Sequence, residues 1–220
     1  MAGMRNYKES EIELMRKSFS GRFKLRDRCY FEMALELGLR VSEMLSIRVG
    51  QVYQFGKVVD EVLIDRKHMK GGKAGKASGR TLPVFDETKP HILAWLQRMA
   101  EMLKVKDMKD IPPDTRLFMS RVRNKDGSRR AIPRETGWRL IKGIARENEF
   151  GDRIGTHSTR KTIARRAKEY AESAGIKDPL RFVQKILGHK SISSTEHYSE
   201  SISEEEAWQG FRSVMKPVAA

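Results

Sequence analysis

Two side chains three residues apart, His157 and Arg160, stand where the sequence predicts the start of a helix. At that spacing both project to one side of the helix. A helix start adds unpaired N–H groups and the positive end of the backbone dipole. A histidine, an arginine and a helix N-terminus together make a place for a phosphate. The pair alone is common by chance and reads equally well as an exposed helix face. Three further segments add weight. Gly38-Leu39-Arg40-Val41-Ser42-Glu43 puts an arginine at a helix-to-helix turn with a carboxylate three residues on. Leu187-Gly188-His189 ends a predicted helix with a second histidine. Tyr198 follows nine residues later, in Thr195-Glu196-His197-Tyr198-Ser199. Each has a plainer reading as well: Arg40 as the ion-pair partner of Glu43, His189 as a helix cap, Tyr198 as a half-buried core tyrosine.

The composition points the same way. Lys and Arg number 44 against 29 Asp and Glu, a formal net charge of +15 over 220 residues. Such an excess calls for a polyanionic partner. An anionic membrane surface would want one strongly basic amphipathic helix. Here the basic residues run through every segment, which favours DNA or RNA. The single cysteine, Cys29, reads as a small buried apolar residue. It excludes an internal disulfide framework and a zinc site built on several cysteines, and it fits a reducing compartment. No apolar run is long enough for a transmembrane helix, and the N-terminus has no signal-peptide core, so a cytoplasmic, DNA-associated location is expected.

The elements that must position these residues follow from periodicity. Apolar spacing predicts helices over 10–19 and 27–37, the second ended by Gly38, and a short helix from near Ser42. Gln51–Phe55, Val58–Ile64 and Thr81–Phe85 read as strands. Between the last two lies a basic, glycine-rich turn carrying Lys67, Lys70, Lys73, Lys76 and Arg80. It is not a nucleotide-binding P-loop: Gly75-Lys76 is followed by Ala77, Lys70 stands where a glycine is required, and a strand rather than a helix comes next. A helix through Ile92, Trp95, Leu96, Met99 and Leu103 follows. Arg121–Arg130 reads as a basic loop turning at Asp126-Gly127, with Arg121 and Arg123 placed to track phosphates. Pro133 opens a helix with Trp138, Ile141 and Ala145 on its core side, and Thr156 caps another running to about 174. Leu180, Val183 and Leu187 mark the next, and Ala207, Trp208 and Phe211 give a C-terminal helix over about 203–214. The expected fold is α+β, mainly α, with one small three-stranded antiparallel sheet, in a single domain spanning 1–220.

Taken in order, these residues resemble the catalytic domain of the tyrosine recombinases, the phage-integrase family. Its members carry an arginine in a Gly-Leu-Arg-x-Ser-Glu turn, a lysine in a β-hairpin, His-x-x-Arg, Leu-Gly-His and a nucleophilic tyrosine. All five occur here in that order, over about residues 8–200.

The resemblance implies a metal- and ATP-independent transesterification needing no cofactor. Tyr198 would attack phosphorus, forming a covalent phosphotyrosine and leaving a 5′-hydroxyl. Arg40 and Arg160 would grip the non-bridging oxygens, with His189 hydrogen-bonding one of them. His157 would be the base or proton acceptor, and Glu43 would orient Arg40 or His157. A hairpin lysine would protonate the leaving oxygen; Lys70 is favoured, Lys73 comes second and Lys76 also qualifies by location. Lys67, Lys73, Lys76, Arg80, Arg121 and Arg123 are expected to bind DNA. The implied partners are double-stranded DNA and further copies of the chain in a tetramer on DNA, with the C-terminal helix docking into a neighbouring protomer. Only about 25 residues precede the first recognisable core helix, so the helical DNA-binding domain that family members carry there is expected to be missing, and an accessory protein could supply its role. A type IB topoisomerase-like nicking and resealing activity and a non-catalytic DNA-binding regulator are the alternatives.

Overall fold

The computed structural model describes residues 4–65, 68 and 79–188. Helix α1 spans Glu9–Ser18, α2 Lys24–Leu37, and two single-turn helices follow, α3 Val41–Met44 and α4 Val49–Val52. Three short β-pairs come from β1 (Tyr53–Gln54), β2 (Lys57–Val58), β3 (Glu61–Ile64), β4 (Arg80–Pro83), β5 (Met119–Arg123) and β6 (Arg129–Ala131). Helix α5 (Lys89–Leu103) lies between β4 and β5. Helices α6 (Arg134–Glu147), α7 (Thr156–Ser173) and α8 (Pro179–Leu187) complete the described chain. It divides within α7 into two compact units, one ending at Ile163 and the other starting at Ala164.

In the first unit α2 is the central element. Cys29, Tyr30, Phe31, Met33, Ala34 and Leu37 are all buried, which covers most of its circumference. It packs against α5, whose Ile92, Trp95, Leu96 and Met99 are fully enclosed. The indole N–H of Trp95 donates to the carbonyl of Leu117 at 2.7 Å, so the buried ring is satisfied and the 115–118 segment is fixed to α5. Leu117 N–H in turn donates to Ile47 C=O at 2.9 Å, which ties the segment between α3 and α4 to the approach to β5.

Ahead of α1, residues 5–8 cross to the start of α7. Tyr7 is buried edge-on to Phe31, and its N–H donates to Thr162 Oγ1 at 2.9 Å. Arg5 reaches Glu11 through two hydrogen bonds and the Phe150 carbonyl through a third at 2.9 Å. Glu11 also accepts the N–H of Lys8, capping α1.

The sheet differs from the sequence expectation. Instead of one three-stranded sheet there are three separate two-stranded antiparallel pairs, β1·β2, β3·β4 and β5·β6. Gln51 and Val52 belong to α4, because Val49 and Val52 bury together at helical spacing. Only Tyr53–Gln54 is left to pair, and it pairs with β2 alone. β3 and β4 alternate as expected, with Val62, Ile64 and Leu82 facing the core. Gly79 leads into β4, where a Cβ would lie 2.3 Å from the Ile64 carbonyl oxygen; glycine alone fits. The segment expected as a basic loop at 121–130 is instead the β5·β6 hairpin, turned at Asp126-Gly127. It reads as a loop in sequence because, of β5, only Met119 faces the core. Trp138 is likewise not a core residue; it is 42% exposed, while the buried residues of α6 are Gly137, Ile141, Lys142, Ile144 and Ala145.

In the second unit, Ala167 and Ala171 of α7 and Val183 and Leu187 of α8 are buried. Asp178 caps α8 by accepting the N–H of Arg181 at 2.9 Å, and Gly188 ends it in the left-handed conformation. None of the described helices is long and apolar enough to cross a membrane.

The Trp95 hydrogen bond gives a direct test of the packing. Trp95→Phe removes the donor and leaves a void beside Leu117, so unfolding free energy should drop by about 2–3 kcal/mol. Urea titration followed by circular dichroism reads this; a loss below about 0.5 kcal/mol would show that the bond is not holding the segment.

Candidate active site

The site begins at the end of α2. Gly38 takes φ +57, the left-handed conformation that stops the helix, and turns the chain so that Arg40 becomes the residue before α3. Glu43, three residues on and buried, folds back on that turn. Its carboxylate accepts the backbone N–H of Arg40 at 2.7 Å and the Arg40 guanidinium at 3.0 Å. The side chain of Arg40 remains partly open to solvent.

Arg160 arrives from α7. It is 1% exposed, one of the largest fully buried side chains of the protein, and a terminal guanidinium N–H donates to the Gly38 carbonyl. Two residues 122 apart in sequence are thereby joined, and Arg160 is brought to the turn that bears Arg40. The start of α7 is held by its own hydroxyls. Ser158 Oγ accepts Gly155 N–H at 3.0 Å, Thr159 Oγ1 donates to the Thr156 carbonyl, and Thr162 Oγ1 donates to the Ser158 carbonyl while accepting Tyr7 N–H.

His157 stands one turn before Arg160, with its side chain exposed. The protein around the ring removes part of its hydration, and Arg160, Arg40, Arg134 and Lys161 repel a proton there. Its pKa is accordingly held below the usual histidine value, which leaves a neutral imidazole at neutral pH. Arg80, at the start of β4 opposite Ile64, belongs to the same electrostatic neighbourhood. Its pKa is lowered chiefly by burial; Glu43 opposes this and Arg40 adds to it. Arg40, Arg80, Arg160 and His157 thus converge on a turn organised by Glu43. Such an arrangement binds an oxyanion and stabilises negative charge that grows on it.

Of the residues singled out in the sequence, the fold brings together Arg40, Glu43, Arg80, His157 and Arg160. Arg121 and Arg123 lie on β5: the guanidinium of Arg121 is 5.9 Å from the Phe23 ring, which Arg22 and Arg26 also approach. Tyr198, His189, Lys67, Lys70, Lys73, Lys76 and the segment 203–214 lie outside the described residues. Sequence reasoning missed Arg134, the first residue of α6, and the Gly38 carbonyl as the anchor of Arg160. Pro133 marks the start of α6, but nothing local connects that start to His157.

The model of the phage integrase family matches residues 6–205. The tyrosine recombinase XerC of Chromobacterium violaceum is 30% identical over 175 residues, covering 79% of this chain and 48% of that protein. The tyrosine recombinase XerA of Pyrococcus furiosus is 29% identical over 178 residues, 80% of this chain and 50% of that one. The chain spans about half the length of these relatives. Among solved structures, a XerA recombinase superposes with a TM-score of 0.66 at 17% identity, covering 99% of this chain and 66% of that one. A XerH site-specific recombinase bound to its difH substrate superposes with a TM-score of 0.61 at 18% identity, over 93% and 53% of the two chains.

The histidine environment is measurable. In NMR titration the His157 ring should show a midpoint below 6.5, and Arg134→Gln, by removing one repelling charge, should move that midpoint upward. A midpoint at or above 6.5 in the unaltered protein would contradict the arrangement.

Proposed function

The chain belongs to the phage integrase family, and from that premise we propose that it is the catalytic part of a site-specific recombinase that cuts and rejoins strands of duplex DNA. The observation that carries this reading is the joining of Arg160 to the Gly38 carbonyl beside an Arg40 held by Glu43. That pairing supplies two guanidinium groups, fixed before any substrate arrives, for the two non-bridging oxygens of one phosphodiester. Fixed donors need no reorganisation as charge develops, which is where most of their catalytic effect lies.

In the proposed reaction Tyr198 Oη attacks phosphorus in line. An O–P bond forms to tyrosine and the bond to the 5′-oxygen breaks. The phenolic proton passes to His157, whose depressed pKa keeps the imidazole unprotonated until then. His189 donates to a non-bridging oxygen, and Lys70, with Lys73 second, gives the proton that the departing 5′-oxygen needs. The product is a 3′-phosphotyrosine and a free 5′-hydroxyl. A hydroxyl from a second strand reverses the step, so the bond energy is kept and no ATP is consumed. Duplex DNA is the proposed substrate, supported by the net charge of +15 and by the DNA-bound state of the XerH relative. Assembly into a tetramer on DNA, with the helix over 203–214 as the contact between copies, is part of the same proposal, as is an accessory protein that helps choose the site.

The test is a suicide duplex whose cleaved end diffuses away. Tyr198→Phe should bind it as the unaltered protein does, with stability changed by under about 1 kcal/mol, and form no covalent adduct on a denaturing gel. Adduct from the phenylalanine variant would place the nucleophile elsewhere. Relaxation of supercoils with no recombinant product would favour the nicking and resealing activity instead.

The arginines make a separate prediction. Arg40→Lys and Arg160→Lys keep the charge but lose the planar pair of donors, and each should slow cleavage roughly 100- to 1000-fold. A variant within threefold of the unaltered rate in single-turnover cleavage would remove that arginine from the site.

A further inference from the structure

The loop between α6 and α7, residues 148–155, runs straight into the turn that carries His157, and its backbone is held by two other parts of the chain. The guanidinium of Arg5 donates to the Phe150 carbonyl and the backbone N–H of Arg5 to the Arg153 carbonyl, each at 2.9 Å. Between them the ammonium of Lys142, on α6, donates to the Asp152 carbonyl at 2.6 Å. We propose that Arg5, Tyr7, Lys142 and Thr162 form a positioning clamp, which fixes the register and rotation of α7 so that His157 and Arg160 meet the scissile phosphate together. The four act through α7 rather than on the phosphate itself. The inference rests on the recombinase reading above and extends it to residues outside the reacting set.

Rotation of the helix carries the argument. Thr162 follows Arg160 by two residues, about 200° around an α-helix, so the two side chains leave opposite faces. Arg160 ties one face to the Gly38 carbonyl. Thr162 ties the other, accepting the N–H of Tyr7 at 2.9 Å while donating to the Ser158 carbonyl at 2.8 Å. Both residues are fully buried. Tyr7 is itself set edge-on against Phe31 of α2, the helix that ends at Gly38. Held on opposite faces to one common element, α7 cannot turn about its axis without breaking one of these bonds. The loop contacts fix movement along the axis, since the carbonyls of 150, 152 and 153 are tied down just ahead of His157. A Cβ on Gly155 would press on Met4 Sδ at 3.1 Å, so the N-terminal strap lies directly on the residue before α7.

Lys142 shows that the clamp serves more than stability. It is 5% exposed, and its contacts are the Asp152 carbonyl and, at 3.2 Å, a carboxylate that is itself almost fully exposed. Enclosing an ammonium is costly, and an apolar side chain of similar volume commonly gives equal or better stability. A charge kept there in spite of that cost directs one backbone carbonyl to one point. Arg5 follows the same pattern: two hydrogen bonds to Glu11 pin its guanidinium, so the donor reaches Phe150 already aimed. Such support matters because a displacement of about an ångström at the reacting atoms lowers the rate by up to ~100-fold.

The experiment compares single-turnover cleavage of the suicide duplex, at saturating duplex, with duplex affinity and thermal stability, all in the full chain. Lys142→Met should unfold at the same temperature or higher, bind duplex within about threefold of the unaltered protein, and cleave roughly 10- to 100-fold more slowly. Thr162→Val should slow cleavage by a similar factor, and Thr162→Ser, which keeps the hydroxyl, should restore it to within about threefold. In an Arg160→Lys background the loss from Thr162→Val should shrink, because the clamp acts through Arg160. If Thr162→Val does not fold, Lys142→Met in the same two backgrounds decides. Cleavage by folded Lys142→Met at the unaltered rate overturns the clamp and leaves the recombinase reading in place. So does a loss of stability in step with the loss of rate, an equal loss in both backgrounds, or weakened binding with an unchanged rate at saturation. Absence of any covalent adduct from the unaltered protein overturns both.

Discussion

The hydrogen bond from Arg160 to the Gly38 carbonyl is the constraint on which the rest of the site depends. A carbonyl just past a helix end has lost its intrahelical partner and must find another when buried. Gly38 ends α2 in the left-handed conformation and is itself buried. A buried guanidinium must likewise be met by acceptors. Each group answers the need of the other, and the result fixes α7 against the turn that presents Arg40. Displacing either partner would leave a buried polar group unsatisfied, a cost of about 1–3 kcal/mol and more for a charged one.

The supports of that bond lie in unexpected places. The α7 start is held by Ser158, Thr159 and Thr162, and Thr162 in turn accepts from Tyr7, ahead of α1. Burial of Tyr7 against Phe31 connects this strap to α2, the helix that ends at Gly38. The loop is closed: α2 sets the turn, the turn receives Arg160, and the N-terminal strap that packs on α2 fastens the helix carrying Arg160. Precision at a phosphate requires support of this kind, because displacements on the order of an ångström are enough to misalign an in-line attack.

Positive charge is treated in two ways across the protein. On the helices, arginines pair with acids: Arg16 with Glu13 and Glu32, Arg28 with Glu32, Arg165 with Glu169. Along the β5·β6 hairpin, and at Arg160, they are anchored on carbonyl and amide oxygens instead, while Arg40 at the turn is paired with Glu43. The lowered pKa of His157 follows first from the loss of hydration around its ring and then from the positive charge of Arg160, Arg40, Arg134 and Lys161.

The sequence by itself predicted the longer helices and named the residues proposed for catalysis. Apolar spacing in α2, α5 and α8 reports burial directly, and Gly38 and Gly188 mark helix ends because a left-handed residue favours glycine. Arg40, Glu43, His157 and Arg160 were legible from local motifs, since each motif is contained within one turn. The tertiary structure decided the rest. Three separated β-pairs replaced the single sheet because Val49 and Val52 bury at helical spacing and draw Gln51 into α4. The β5·β6 hairpin was hidden because its outward side chains carry no apolar alternation. Arg134 and the Tyr7 strap could not be assigned from sequence, and Arg80, expected there only as a DNA contact, could not be placed beside Arg40 and Glu43, because these roles depend on distances across the fold rather than along the chain.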